Sequence, residues 1–204
     1  MLDTTQLKAM IRPTPNFPQE GILFQEWASS MTVELFVSLN HGRGIRLTCL
    51  SHIDIFPIFE DPKATEALVQ HIVNHLTFGD HPKVDVVVGL DSRGFLLGPW
   101  IANKLGAAFV PVRKAGKLPP PCHKVGYTKE YGTDYFEISK TSIKPGQTVV
   151  VLDDLIATGG SAKGAGELIQ MCGGKTVKYV FFVELEFLKG RDSLDAPTFS
   201  VFQY

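Results

Sequence analysis

Residues 149–162 read VVVLDDLIATGGSA, an apolar run that ends in two carboxylates and a turn of small residues. An unbroken run of β-branched and apolar residues is typical of a parallel strand buried on both faces. Small residues allow backbone N–H groups to close around a phosphate, and the dipole of a following helix would strengthen that binding. The candidate phosphate loop consists of Ala157, Thr158, Gly159, Gly160 and Ser161. The stretch therefore predicts a buried strand, an acid pair and a loop for one phosphate group.

The acid pair, Asp153 and Asp154, narrows the ligand class. Two carboxylates would repel a bare polyphosphate, but they suit ribose hydroxyls or an outer-shell position around Mg²⁺. Neither the Gly-x-x-x-x-Gly-Lys-Ser/Thr pattern nor the Gly-x-Gly-x-x-Gly pattern is present here. An ordinary strand-to-helix turn would explain the glycines without explaining two adjacent acids. The combination favours a sugar phosphate.

A second anion loop is predicted where another buried-type strand, residues 84–90, ends. It delivers Asp91, Ser92 and Arg93 just before a helix predicted over residues 95–105. Backbone N–H groups together with a guanidinium fork fit a pyrophosphate. The alternative is a local salt bridge between Asp91 and Arg93, with no ligand.

A third predicted strand, residues 108–112, leads into a basic cluster of Arg113, Lys114 and Lys117. Three positive charges this close to a strand end would neutralise a polyphosphate, and a merely solubilising surface run is the alternative. Strands that alternate with helices, without a long-period repeat, predict an α/β fold with a mainly parallel sheet. In such sheets ligands bind at the carboxyl ends of the strands.

Bulk composition bounds the remaining classes. A chain of 204 residues with 44% hydrophobic residues and a net charge of −1 predicts one α/β domain with an appendage. A net charge this close to zero gives no indication of binding to nucleic acids or to membrane surfaces. The cysteines, Cys49, Cys122 and Cys172, are odd in number and widely spaced, which indicates a reducing compartment. Without a signal core or a run of about 20 apolar residues, a cytoplasmic location is expected.

The acid pair and phosphate loop resemble the 5-phosphoribosyl pyrophosphate (PRPP) signature of the type I phosphoribosyltransferases. VVGLDSRGFLLGP (residues 87–99), RKAGKLP (113–119) and KEYGTDYFEI (129–138) are similar to the adenine phosphoribosyltransferases in particular, and VELEFLKGRDSL (183–194) and the terminal FQY agree. The resemblance implies the type I phosphoribosyltransferase fold, with a central mainly parallel sheet flanked by helices and a flexible flap. It also implies an N-terminal hood over residues 1–60 and a core over residues 61–204.

The same resemblance implies an activity, which is transfer of the 5-phosphoribosyl group from PRPP to adenine, giving AMP and pyrophosphate. The phosphate loop would hold the 5′-phosphate, Asp153 and Asp154 the ribose hydroxyls, and residues 91–93 with the basic cluster the pyrophosphate. Mg²⁺ would be required and held mainly by PRPP and water, without dedicated protein ligands. A homodimer is expected from the family alone.

Base recognition is also assigned by resemblance. The backbone around Leu23 would read the purine edge and Phe24 would stack on its face, although Phe24 could equally be a core residue. The flap would carry Glu130, the candidate for handling the purine proton, and Tyr131. An exposed Glu-Tyr pair on a hairpin is the simpler interpretation of the flap.

Residues 25–53 depart from the family pattern, because they separate GILF (residues 21–24) from DIFP (residues 54–57). Turn residues inside this insertion would allow a β-hairpin. Its position beside Phe24 leaves two alternatives open, namely a catalytically impaired PRPP- or nucleotide-binding variant and a phosphoribosyltransferase for another base.

The helix predicted after Asp61 and Pro62 carries His71 and His75 at i and i+4. With no third ligand offered, we expect a solvated helix face here rather than a metal pair.

Overall fold

The computed structural model describes residues 2–15, 51–129 and 132–204. Contacts divide the chain into two units, Met1–Leu68 and Val69–Tyr204. Leu23, Phe24, Glu130 and Tyr131 lie outside the described residues, as does the predicted hairpin of the insertion.

The first unit begins with helix α1 (Thr4–Met10). A capping box starts it, because the Gln6 backbone N–H donates to the Asp3 carboxylate at 2.8 Å and the Gln6 side chain accepts from the Asp3 N–H at 3.0 Å. Two short antiparallel strands follow, β1 (Arg12–Pro15) and β2 (Ser51–Asp54). The short helix α2 (Phe56–Glu60) follows β2.

Helix α3 (Pro62–Thr77) starts as predicted, since the Asp61 carboxylate accepts from the Lys63 backbone N–H at 2.8 Å. Its predicted apolar stripe is buried throughout, at Leu68, Val69, Ile72, Val73 and Leu76.

The expectation of a solvated face at His71 and His75 is wrong. The His75 ring stacks on Phe199 with centroids 3.6 Å apart, and the His71 ring lies 5.8 Å from the same phenylalanine. The partner comes from the far end of the chain, so the helix sequence alone gives no sign of it.

The second unit is built on a seven-stranded sheet flanked by helices. Its elements in chain order are β3 (Val86–Leu90), α4 (Gly94–Leu105), β4 (Ala108–Lys114), β5 (Cys122–Lys129), β6 (Gly132–Ser139), β7 (Thr148–Ile156), α5 (Gly160–Met171), β8 (Lys175–Glu184), two 3₁₀ turns (Glu186–Leu188 and Gly190–Ser193) and β9 (Thr198–Gln203). The sheet order is β5-β6-β4-β3-β7-β8-β9. Strands β4, β3, β7, β8 and β9 run parallel, whereas β5 and β6 form an antiparallel hairpin attached to β4. The predicted mainly parallel sheet is confirmed.

The two central strands, β3 and β7, carry the buried apolar runs that the sequence predicts. All of β3 is buried, and so are residues 149–152 of β7. Strand β7 continues to Ile156, past the predicted end at residue 152, because β8 continues to pair with it. In the register, Leu90 lies opposite Val112 and Gly89 opposite Leu152. The loops that follow β3, β4 and β7 therefore emerge at one edge of the sheet.

Helix α4 begins in close contact with β7. A Cβ added at Gly94 would lie 2.5 Å from the Leu152 carbonyl oxygen, so only glycine allows this approach. The contact brings the loop of residues 91–93 against the strand that carries the acid pair.

Candidate active site

The acid pair lies in the last part of β7 rather than after it. Asp154 is 6% exposed and Asp153 is partly buried. The Asp154 backbone N–H donates to the Asp153 carboxylate at 2.9 Å, which fixes the orientation of that side chain. Both carboxylates are held by the central strand of the sheet, so they form a rigid part of the site.

Burial raises the pKa of both carboxyl groups above the ordinary aspartate value. The neighbouring Asp154 carboxylate raises the pKa of Asp153 further, whereas the Arg93 guanidinium opposes the rise of the Asp154 pKa. Two carboxylates in this setting favour a ligand that brings positive charge or hydrogen-bond donors, because either would stabilise their ionised forms.

Arg93 connects the loop after β3 to the acid pair. Its guanidinium Nη1 lies 2.7 Å from Asp154 Oδ2, and both side chains are largely buried, at 20% and 8% exposure. The guanidinium that the sequence assigns to an anion therefore also pairs with an acid on another strand, β7. An ion pair between the loop after β3 and strand β7 can couple ligand binding at the loop to ligand binding at the acid pair.

Asp91 pairs with an arginine on the next strand. Arg113 Nε donates to Asp91 Oδ2 at 3.1 Å, and the Lys114 backbone N–H approaches the same oxygen at 3.4 Å. The Arg113 guanidinium also lies 5.9 Å from the Phe95 ring centroid and donates to the Lys117 carbonyl at 3.4 Å. Arg113 is thus oriented by several partners at the edge of the site.

The remaining residues of these loops are more accessible. Ser92 and Lys117 are exposed and Lys114 is partly buried. The basic cluster and the loop of residues 91–93 are adjacent because β3 and β4 are paired, with Leu90 opposite Val112. An anion at this edge could therefore contact both.

The phosphate loop runs directly into helix α5. Gly159 is the N-cap with φ +83°, a left-handed conformation that favours glycine, and no side chain caps the helix. The Lys163 N–H donates to the Gly159 carbonyl at 2.9 Å, which starts the helical ladder. The N–H groups of the first turn have no partner within the helix, so they and the helix dipole suit an anion.

One aromatic residue in the site region has no predicted role. Tyr127 on β5 is buried, stacks on Phe136 with centroids 4.2 Å apart, and packs against Gly164 of α5, where an added Cβ would lie 3.3 Å from the Tyr127 Cβ. Burial raises its pKa, with a further contribution from the Asp134 carboxylate. Strand β5 pairs with β6 as far as Lys129 opposite Gly132, so this contact ties the base of the predicted flap to α5.

The described residues offer few donors for a metal ion held by the protein alone. Within residues 2–15, 51–129 and 132–204, no three His, Cys, Asp or Glu side chains are grouped to hold a metal ion. The carboxylate oxygens of Asp153 and Asp154 are hard donors that suit Mg²⁺. One oxygen of each is already engaged, Asp154 Oδ2 by Arg93 and Asp153 Oδ1 by a backbone N–H. These residues fit an outer-shell position rather than a protein cage.

Comparison with known proteins agrees with this geometry. The family model described as "Phosphoribosyl transferase domain" matches residues 58–202. Adenine phosphoribosyltransferase of Yarrowia lipolytica is 46% identical over 199 residues, covering 97% of this chain and 93% of that protein. The chain belongs to the adenine phosphoribosyltransferase family. None of the helices in the described part of the chain is both long and apolar enough to span a bilayer.

Solved structures of adenine phosphoribosyltransferases share this fold. The enzyme of Saccharomyces cerevisiae, complexed with D-2,5-dideoxy-2,5-imino-altritol 1,6-bisphosphate and adenine, is 44% identical with a TM-score of 0.78, and 97% of each chain is covered. The enzyme of Trypanosoma brucei, in complex with AMP, pyrophosphate and ribose-5-phosphate, is 30% identical with a TM-score of 0.70, covering 76% of this chain and 70% of that one. The predicted type I phosphoribosyltransferase fold is therefore confirmed.

Proposed function

We propose that this chain transfers the 5-phosphoribosyl group from PRPP to adenine, giving AMP and pyrophosphate in purine salvage. One observation carries the proposal, which is that the acid pair of β7 contacts the arginine-bearing loop through Arg93 and is followed in the chain by the candidate phosphate loop, in a chain of this family. A sugar with a phosphate at one end and a pyrophosphate at the other matches that order of charges.

The 5′-phosphate is assigned to Ala157, Thr158, Gly159, Gly160 and Ser161. Backbone N–H groups and the α5 dipole supply the binding, so no side-chain cation is needed there. The ribose hydroxyls are assigned to Asp153 and Asp154, which accept hydrogen bonds and fix the sugar between the two phosphate sites.

Charge develops in two places as the C–N bond is exchanged. The ribose ring becomes cationic, and the ionised acid pair beside it stabilises this state. Negative charge grows on the departing pyrophosphate, which is assigned to residues 91–93 with Arg113, Lys114 and Lys117. Arg93 would bind pyrophosphate and Asp154 alternately or together. Ligand binding at the pyrophosphate site would therefore affect binding of the ribose at the acid pair, and the reverse.

Mg²⁺ is proposed as the required cofactor, held mainly by PRPP and water, with Asp153 and Asp154 in the outer shell. When bound, the ion neutralises charge on the leaving group. The protein's own contribution is to place the hydroxyls and phosphates for that ion.

Adenine recognition is assigned to Leu23 and Phe24, and the flap residues Glu130 and Tyr131 would close over the base. These roles rest on the family resemblance. Glu130 is proposed to handle the purine proton, so Glu130→Ala should lower turnover without loss of folding stability. Turnover and urea unfolding of this variant, measured side by side, test the assignment.

A homodimer is proposed on the same family grounds. Helix α4 presents Leu96 and Trp100, which are 37% and 52% exposed, on one face. These side chains would be covered in a dimer. Light scattering of the parent and of Trp100→Glu tests whether this face is the one used.

Residues 1–60 are proposed to act as the hood, with residues 61–204 as the catalytic core.

The cytoplasm is proposed as the compartment. Among the described residues, Cys122 and Cys172 are free thiols, which suits a reducing environment. Fractionation of cells that express the tagged chain tests this location.

The deciding experiment is Mg²⁺-dependent pyrophosphate release from PRPP plus adenine, measured on this chain and on one that lacks residues 25–53. Activity of both supports the proposal and makes the insertion a tolerated addition. Activity of the shortened chain alone assigns this form to the impaired PRPP-binding class. If both chains were inactive with adenine but turned over hypoxanthine or guanine, the assignment of adenine as the base would be wrong.

A further inference from the structure

The segment Lys189–Leu194, which we call the brace, contacts the phosphate loop backbone to backbone. A Cβ added at Gly190 would overlap the Ala157 carbonyl oxygen and lie 2.9 Å from the Gly159 nitrogen. A Cβ added at Gly159 would overlap the Gly190 carbonyl oxygen and lie 2.5 Å from Ser193 Oγ. The lack of a side chain at both positions therefore allows the two segments to approach this closely, and the position of the brace limits where the loop can lie.

Within the brace, the Ser193 hydroxyl donates to the Gly190 carbonyl at 2.8 Å. This bond orients the carbonyl that faces Gly159. Lys189 precedes the contact in a left-handed conformation with φ +52°, unusual for a residue with a side chain. The turn is thus held in one shape at the point where it meets the loop.

An ion pair between the exposed Arg191 and the buried Glu184 anchors the brace to the sheet. Arg191 Nε donates to Glu184 Oε1 at 2.6 Å, and Arg191 Nη2 donates to Glu184 Oε2, so the pairing is bidentate. Glu184 is 2% exposed at the end of β8, and the Ser200 hydroxyl donates to its Oε2 at 2.7 Å. These bonds lower the pKa of Glu184 and keep it ionised. Arg191 is therefore fixed to β8, through a carboxylate that Ser200 of β9 also holds.

We propose that Arg191 is a positioning residue for the 5′-phosphate site, acting through Gly190 on the phosphate loop. The proposal rests on the function proposed above. Anion binding by backbone N–H groups depends on their alignment, because no side-chain charge compensates for a displaced loop. Fixing the brace to Glu184 keeps those N–H groups aligned before the ligand arrives.

The test uses the full chain, two brace variants and two probe ligands. Arg191→Lys keeps the charge but loses the bidentate geometry, and Gly190→Ala adds the Cβ that overlaps Ala157. Dissociation constants of ribose 5-phosphate and of pyrophosphate are measured by calorimetry in the presence of Mg²⁺. Ile72→Val, a buried substitution on α3, serves as a control for a mild loss of stability unrelated to the brace.

We expect both brace variants to bind ribose 5-phosphate about tenfold or more weakly, because a small misplacement of binding groups has a large effect. Pyrophosphate affinity should change less than twofold, since its proposed residues follow β3 and β4. Ile72→Val should bind both probes like the parent. A purely structural role would weaken both probes equally.

Equal weakening of both probes, or unchanged ribose 5-phosphate binding in Arg191→Lys and Gly190→Ala, would overturn the inference alone. Failure of the parent chain to bind ribose 5-phosphate would overturn the proposed phosphate site and the inference with it. Binding is independent of the base, so the outcome does not depend on whether the insertion disturbs adenine recognition. If Gly190→Ala did not fold, Arg191→Lys would decide.

Discussion

Arg93 Nη1 lies 2.7 Å from Asp154 Oδ2, so the loop after β3 is joined to the acid pair of β7 by a largely buried ion pair. The bond makes the two proposed ligand subsites parts of one electrostatic network. Pyrophosphate bound by Arg93 would weaken the ion pair between Arg93 and Asp154. A ribose bound by Asp154 would weaken the same ion pair and leave the Arg93 guanidinium more available to an anion.

Asp154→Asn should lower kcat roughly 100-fold, because it removes one charge beside the cationic sugar. Folding should be retained, because the amide has the same shape as the carboxyl group that it replaces. Burial also disfavours the ionised form of that carboxyl group and raises its pKa. Steady-state kinetics with PRPP and adenine measure the first effect, and urea unfolding the second. Asp80→Asn, at an exposed position, is the matched control and should behave like the parent.

Asp153→Asn should stabilise the fold increasingly as pH rises. The folded-state pKa of Asp153 is raised by burial and by the Asp154 carboxylate, so the folded parent binds more protons than the unfolded chain. The parent is therefore most favoured below the ordinary aspartate pKa and loses stability as pH rises towards the folded pKa. Each unit of difference between the folded-state and unfolded-state pKa corresponds to about 1.4 kcal/mol in the free energy of unfolding. Urea midpoints at pH 4.5 and 8 should diverge between parent and variant, and parallel curves would contradict the electrostatic origin.

Arg113→Ala should raise the KM for PRPP roughly tenfold, because Asp91 then stays largely buried without its guanidinium partner and repels pyrophosphate. Inhibition by pyrophosphate should weaken in parallel. The control is Lys140→Ala, an exposed cation after the far end of β6. A loss of the same size in Lys140→Ala would mean that overall charge, and not the Asp91 pairing, sets the affinity.

Tyr179→Phe should lower the free energy of unfolding by about 1 kcal/mol, the typical net contribution of one hydrogen bond. The Tyr179 hydroxyl donates to Asp195 Oδ1 at 2.7 Å, and Gln170 of α5 donates to the other oxygen of the same carboxylate at 2.6 Å. Urea unfolding measures the change. A variant as stable as the parent would show that the bond contributes nothing.

His75 should remain neutral in NMR titrations until pH falls to about 4. Burial, followed by the charges of Lys178, His81 and His71, lowers its pKa to about 4. Because the folded pKa lies below that of the unfolded chain, stability should fall as pH decreases from 6.5 towards 4. His75→Gln should flatten this slope, and a His75 resonance that titrates near pH 6.5 would contradict the packing on Phe199.

Local patterns in the sequence predicted much of the fold. Strand β3, strand β7 and helix α3 follow from apolar runs and stripes of the right period, and the start of α3 follows from Asp61 and Pro62. The order of motifs also predicted that the acid pair lies just before the turn into helix α5, where β7 and α5 are found. These features depend on neighbouring residues, so one sequence suffices to predict them.

Tertiary structure decided how the charges pair and which surfaces are covered. Arg93 with Asp154, Asp91 with Arg113, and His75 with Phe199 each join residues that are far apart in the chain. Strand β7 reaches Ile156 only because β8 pairs with it there. The contact of Gly159 with Gly190 likewise needs the sheet to bring the brace to the loop.

The sequence by itself therefore determined which residues are candidates for the chemistry and which elements hold them, because backbone preferences and periodic burial are local. Only the tertiary structure decided the partners of each charge and the alignment of the phosphate loop. Both depend on strand order and register, which bring distant residues within hydrogen-bond distance.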